Sequence, residues 1–234
     1  MKRVHNIWMH LFLLIACSLF TQCSNSLSPS SQTSHGISVN GLLSMGDDVQ
    51  YLSIIETLPE YSDSIPYVFD ATVEINGVPF EPIDREDIND YLDAMNWKTT
   101  GLDLTYGQVC SLKIEWQGHT IIGVTRVPDS VAPVTTRGAT IFWHGDSVST
   151  LYDFQIPEQW GERNYTGTSL NLKERYYRYE PGKYDIMIYQ YDKNFNQYQE
   201  AFYSPEENPL SFGLQGAYGV FASRSLWEGT VSLE

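Results

Sequence analysis

Two cysteines near the start of the chain sit where a specific chemistry, lipid attachment, would use them. Lys2 and Arg3 precede a mostly apolar stretch from Ile7 to Phe20 that holds no acidic residue. A basic start, an apolar run of about 7–15 residues and a small-residue processing site form a secretory signal, whereas a membrane-spanning helix needs about 20 apolar residues. In Leu14-Ile15-Ala16-Cys17 an aliphatic residue stands at minus three and a small one at minus one, as a lipoprotein signal peptidase requires. Phe20-Thr21-Gln22-Cys23 is better spaced from the apolar run but places Gln22 at minus one. Residue type favours Cys17 as the lipidation site and spacing favours Cys23. A diacylglycerol thioether together with an amide-linked acyl chain anchors stably, since each buried CH₂ contributes about 0.8 kcal/mol. The alternative is an ordinary cleaved secretory signal, whose small-x-small site is poorly matched here.

Beyond that segment the groups able to do chemistry are few. Nucleophilic hydrolysis needs a serine or cysteine, a histidine to activate it and a third group to orient the histidine. The body offers only His119, in a turn-like stretch, and His144, before Gly145-Asp146; both read as turn residues. Cys110, between Val109 and Leu112, reads as a buried free thiol behaving as a small hydrophobe. A structural zinc site wants about four nitrogen or sulfur ligands, and no close-spaced pair exists, so no metal site is assigned. Asp192-x-Asn194-x-Asn196 imitates the start of a calcium loop, but Gln197 and Tyr203 stand where the turn glycine and the bidentate glutamate belong. That segment is expected to be a polar hairpin tip. Paired carboxylates carry no specificity among 29 acidic residues. No catalytic residue and no cofactor is implied, and the protein is expected not to be an enzyme.

Aromatic residues are the one excess, with 16 tyrosines in the chain. Amphipathic rings suit protein interfaces and stacking on sugars, although tyrosine is also a good strand former. The expected binding face consists of Tyr177, Tyr179, Tyr189 and Tyr191, the last two on one side of a strand.

These residues need elements to hold them. Ser24 to Ser38 is dominated by small polar residues and proline and buries no apolar surface, so 24–36 is expected to be a flexible tether after a signal at 1–23. It lacks the acidic run that marks surface export, which tilts the expected location toward the periplasmic face of the outer membrane. From residue 37 onward, apolar and polar residues alternate in short runs broken by Gly, Pro, Asn and Asp, the period of β-strands. Strands are expected at 37–43, 49–57, 68–76, 109–117, 119–127, 138–144, 149–155, 183–192, 196–203, 217–224 and 229–233. The stretches at 109–127 and 184–203 read as hairpins. Ile88, Tyr91, Leu92 and Met95 recur at helical spacing after Asp84, giving one short amphipathic helix. Pro128 to Pro133 is the best internal boundary. The expected architecture is mostly β: two tandem antiparallel β-sandwich domains, immunoglobulin- or fibronectin-like, at 37–128 and 134–234. Trp143 on an early strand of the second unit suits that reading. Without Lys2 and Arg3 the net charge is about −17. A surface so acidic repels phosphate backbones, which excludes nucleic acid as a partner.

Ala71-Thr72-Val73-Glu74-Ile75-Asn76-Gly77, Leu112 to Trp116, Thr125-Arg126-Val127-Pro128 and Gly216-Ala217-Tyr218-Gly219-Val220-Phe221 together resemble a family of Bacteroidota lipoproteins. Its members carry a lipid-anchored N-terminus, tandem β-sandwiches, a Thr-x-Val-Pro segment closing the first unit and a late Gly-x-Phe turn. This chain departs from the family in its shortness and in Ala217-Tyr218, which replace an expected glycine. The resemblance implies a cell-envelope setting, often beside outer-membrane transport systems, and carries no catalytic residue over to this chain. The expected role is a lipid-anchored binding or scaffolding protein, with the membrane and a protein or glycan as partners. The rival roles are a carbohydrate-active or peptidase accessory enzyme and a structural subunit of a surface assembly.

Overall fold

The strands, in chain order, are β1 (Gly36–Ser44), β2 (Gln50–Thr57), β3 (Thr72–Ile75), β4 (Val78–Pro79), β5 (Glu81–Pro82), β6 (Trp97–Thr99), β7 (Val109–Trp116), β8 (His119–Arg126), β9 (Val134–Arg137), β10 (Thr140–Trp143), β11 (Tyr152–Ile156), β12 (Gln159–Tyr165), β13 (Ser169–Asn171), β14 (Gly182–Tyr191), β15 (Ser211–Phe212), β16 (Leu214–Gln215) and β17 (Tyr218–Leu233). One described helix, α1 (Lys193–Tyr203), lies between β14 and β15. The computed structural model describes residues 36–57, 65–84, 95–130, 134–143, 152–156, 159–165, 169–171, 180–203 and 210–234. The signal segment, both candidate lipidation cysteines, most of the tether and the helix expected after Asp84 lie outside them.

The mostly β class expected from the alternation is the class observed. β1 shows why: Ile37, Val39 and Leu43 are buried on the same face as Gly41, while Ser38, Asn40 and Leu42 turn the other way. β7 and β8 form the hairpin expected at 109–127, paired from Val109↔Arg126 to Trp116↔His119. Its turn is Gln117-Gly118, both at positive φ (47° and 79°), the left-handed pair that matches the twist of two-residue hairpins.

Three sheets result. The largest runs β12-β11-β14-β17-β1-β2-β6-β5 with β15 added beside β17; the second runs β16-β8-β7-β3-β4 and the third β13-β10-β9. One hydrophobic core lies between the second sheet and β1, β2 and β6, built from residues such as Val39, Leu52, Ile54, Leu112, Ile114 and Phe221. Another joins the third sheet to β14 and β17, with Ile141, Trp143, Leu170, Ile186, Ile188 and Val231. A smaller cluster packs α1, through Phe195, Tyr198 and Ala201, onto Val220 and Ala222 of β17.

The large sheet draws strands from both sides of the boundary expected at Pro128 to Pro133. Two cores exist, but no break in the sheet separates them. β1 pairs in parallel with β17, from Ser38↔Tyr218 to Ser44↔Arg224, and the remainder of β17 pairs with β14 down to Gly182↔Leu233. Phe221 on β17 completes the first core, and His35–Glu234 is a single compact unit. β17 was expected as two strands, 217–224 and 229–233; it is one strand of 16 residues that serves both cores.

The hairpin expected at 184–203 is also corrected. β14 forms as read, but the returning strand is α1. Asp192 caps that helix: the Phe195 N–H donates to Asp192 Oδ1 at 3.0 Å, and the Asn196 N–H reaches the Asp192 carbonyl at 3.2 Å. Phe195, Tyr198 and Phe202 fall at i, i+3 and i+7, a helical stripe that a period-two reading of the same rings obscures. The polar hairpin tip expected at Asp192–Asn196 is thus the first turn of a helix.

Candidate functional site

Of the four tyrosines expected to form a binding face, Tyr189 and Tyr191 are described. Tyr177 and Tyr179 lie outside the described residues. Tyr189 and Tyr191 share one side of β14, as expected, but that side is occupied. The Arg224 guanidinium carbon stands 4.2 Å over the Tyr189 ring centroid. Tyr191 stacks on Phe195 with centroids 4.4 Å apart, receives a long hydrogen bond from Arg224 Nη1 at 3.5 Å, and is 7% exposed. It is packing between helix and sheet. A helix stripe over 195–202 was the sequence signal that would have foretold its burial.

Exposed rings occur elsewhere on the same sheet. Leu52 and Ile54 point into the first core, so alternation turns Tyr51 to the opposite face, which Val220 and Ala222 share with Tyr218. Tyr51 is 42% exposed and Tyr218 45%. They share the α1 face of the large sheet, and sequence reading passed over both because neither lies in a dense run of tyrosines.

The densest polar chemistry is buried between the two main cores. Thr125 from β8 and Ser223 from β17 are 2% and 0% exposed, with their hydroxyl oxygens 2.9 Å apart. Thr125 Oγ1 donates to Asp192 Oδ2, and the Asp192 N–H donates to the Ser223 carbonyl at 2.9 Å. Asn194 Nδ2 donates to the carbonyls of Val124 (2.8 Å) and Phe221 (2.9 Å). One step along β17, the buried Ser225 hydroxyl reaches the Asp129 carbonyl at 3.3 Å. The seam therefore ties β8, β17, the β8–β9 connector and the start of α1 together. A carboxylate beside two hydroxyls is a reactive-looking set, but both hydroxyls face inward, away from any solvent-borne substrate atom. Its chemistry is structural.

Burial pushes the Asp192 carboxyl up to about 6, against the pull of the Thr125 hydroxyl and the Phe195 N–H. The folded state therefore holds a proton that the unfolded chain releases near pH 4. The stability this group contributes falls as pH rises from about 4 to about 6 and is flat outside that window. Asp192→Asn keeps the helix cap and removes the titration. Urea unfolding between pH 4 and pH 7 should show the native protein losing on the order of 2–3 kcal/mol relative to the variant. Parallel pH profiles would show that Asp192 is ionised without penalty.

Cys110 is fully buried in the first core, as expected, and burial raises its thiol to about 11. It should stay unmodified by a thiol reagent at pH 8 in the folded protein and react within minutes once the chain is unfolded. His119 opens β8 directly after the Gln117-Gly118 turn and is exposed, a hairpin residue as expected. His144 lies outside the described residues. Among the described residues, no group of three His, Cys, Asp or Glu side chains is placed to hold a metal ion, and no helix is long and apolar enough to cross a membrane. Comparison with family models, with curated proteins and with solved structures finds no match.

Proposed function

We propose that this chain is a lipid-anchored cell-envelope protein that binds or scaffolds a protein or glycan partner, carried at the periplasmic face of the outer membrane as an accessory to a transport system. The observation that carries the reading is the order of its parts. A basic and apolar leader ends at Cys17 or Cys23, a Ser-rich tether follows, and the tether runs into β1. A body with a net charge near −17 stays clear of anionic lipid head groups, which suits a module held off the membrane on a leash. The resemblance to Bacteroidota lipoproteins points the same way.

The binding face in this reading is the outer side of the large sheet, with Tyr51 and Tyr218 in place of the tyrosines of β14. Partly exposed rings supply contact area at low entropy cost. Crosslinking in intact cells followed by recovery from solubilised outer membranes tests the proposal. A defined partner that is captured by the native protein and lost from the Tyr51→Ala/Tyr218→Ala variant supports it. Recovery of the protein alone under several growth conditions counts against it.

A further inference from the structure

The pairing of β1 with β17 has a mechanical consequence. The two strands run parallel and stay in register over seven residue pairs, from Ser38↔Tyr218 to Ser44↔Arg224. The tether enters β1 at Gly36, and β17 ends at Leu233. A pull on the residues before Gly36, opposed by a pull on Glu234, runs along the two strands in opposite senses. All bonds of the ladder are then strained together. Drawing apart the open ends of an antiparallel hairpin such as β7–β8 instead breaks one pair at a time.

Three contacts prevent the strands from sliding. Gly219, at φ +99°, lets its backbone approach the Val39 carbonyl so closely that a Cβ there would collide with it, so a shifted register meets a side chain at that point. The Phe221 ring fits between Gly41 of β1 and Gly123 of β8, each too near it to carry a larger residue without displacement. At the far end, Arg224 Nε donates to Ser44 Oγ at 2.8 Å and the Met45 N–H to the Arg224 carbonyl at 3.0 Å. Ser44 is itself fixed by Gln50, whose side chain accepts from the Ser44 N–H and donates to its carbonyl, both at 2.8 Å. Past Arg224, β17 continues into its ladder with β14, which spreads a pull on Glu234 over the second core.

We propose that the β1–β17 pairing is a shear clamp that lets the body withstand force acting between its N-terminal tether and the C-terminal end of β17. The source of that force rests on the anchored reading above; the clamp itself does not.

Single-molecule pulling on the full chain tests it in two geometries. In one, handles are joined to the two ends of the chain; in the other, they are attached at the exposed positions 109 and 126, where β7 and β8 part. The end-to-end rupture force should be at least about twofold the higher, because forced unfolding reports the barrier along the direction pulled. Equal forces, or an early weak event in which β1 comes away, would overturn the proposal. Ser44→Ala removes the tie to Arg224 and leaves the ladder intact. It should lower the end-to-end force and not the force at 109 and 126; an equal fall in both would also overturn it. A chain found without lipid would remove the anchor and leave these forces unchanged, so the two ideas fail separately.

Discussion

Replacing Asn96 by alanine is expected to lower folding stability by about 2–3 kcal/mol. Asn96 is fully buried at the edge of β6. Its Oδ1 accepts from the Ile54 N–H at 2.7 Å, and its Nδ2 donates to the carbonyls of Ile54 at 3.0 Å and Val68 at 2.8 Å. Its own N–H reaches the Leu52 carbonyl at 3.1 Å, and its carbonyl takes the Ile83 N–H at 2.8 Å. One amide thus joins β2 to two segments that reach it from elsewhere in the chain. Truncation strands the Ile54 N–H, and a buried orphan donor costs about 1–3 kcal/mol; the Ile54 carbonyl keeps the Val68 N–H at 3.0 Å and the Val68 carbonyl keeps the Trp97 Nε1–H. The urea midpoint should fall with little change in slope. Asn96→Asp should be worse still at neutral pH, since a carboxylate oxygen would face two carbonyls in a buried site. A midpoint for the alanine variant within experimental error of the native one would show that the amide is not satisfied as described.

Gly219→Ala is expected to cost about 3–5 kcal/mol and to act where the two halves of the chain meet. The φ of +99° alone penalises any L-residue, by roughly 1–2 kcal/mol for a left-handed conformation. The larger part is steric, because the new methyl group meets the Val39 carbonyl and β1 must move away from β17. That movement weakens the seven-pair ladder and the bond from the Gly219 N–H to the Leu210 carbonyl, at 2.8 Å. Hydrogen exchange should locate the damage. Protection should fall across β1 and residues 218–224 and persist where β14 pairs with the end of β17. Uniform loss would mean that the two cores unfold as one unit whichever end is disturbed, and unchanged protection would remove Gly219 from the account of the junction.

What could be read from the sequence follows from how locally each feature is determined. β1, β2, β7 and β8 announce themselves because each buries one face, so Ile37, Val39, Leu112, Ile114 and their neighbours keep period two. β17 was cut in two at Ser225–Glu228 because its pattern changes there. Ser223 and Ser225 are fully buried at a seam between cores, where polar residues satisfy one another instead of marking a loop. α1 reads as a strand because rings at 195, 198, 202 and 203 fit more than one period. The deciding signal is Asp192 as a cap, a role its place in a calcium-loop-like run conceals. The parallel pairing of β1 with β17 links positions 180 residues apart in register, such as Ser44 and Arg224. No local pattern encodes that pairing, which joins strands from either side of the boundary expected at Pro128 to Pro133. The burial of Tyr191 is hidden for a related reason: a row of tyrosines shows which rings share a strand side, but not which element covers that side.

The mass of the N-terminal peptide, measured on protein isolated from membranes without fatty-acid-cleaving treatment, tests most directly the claim that a double-core β body is carried on a lipid anchor. The account predicts a peptide that begins at Cys17 or Cys23 and bears a thioether-linked diacylglycerol with an amide-linked acyl chain, and the same measurement decides between the two cysteines. A mature protein that starts elsewhere, or one whose first cysteine carries no lipid, would contradict it.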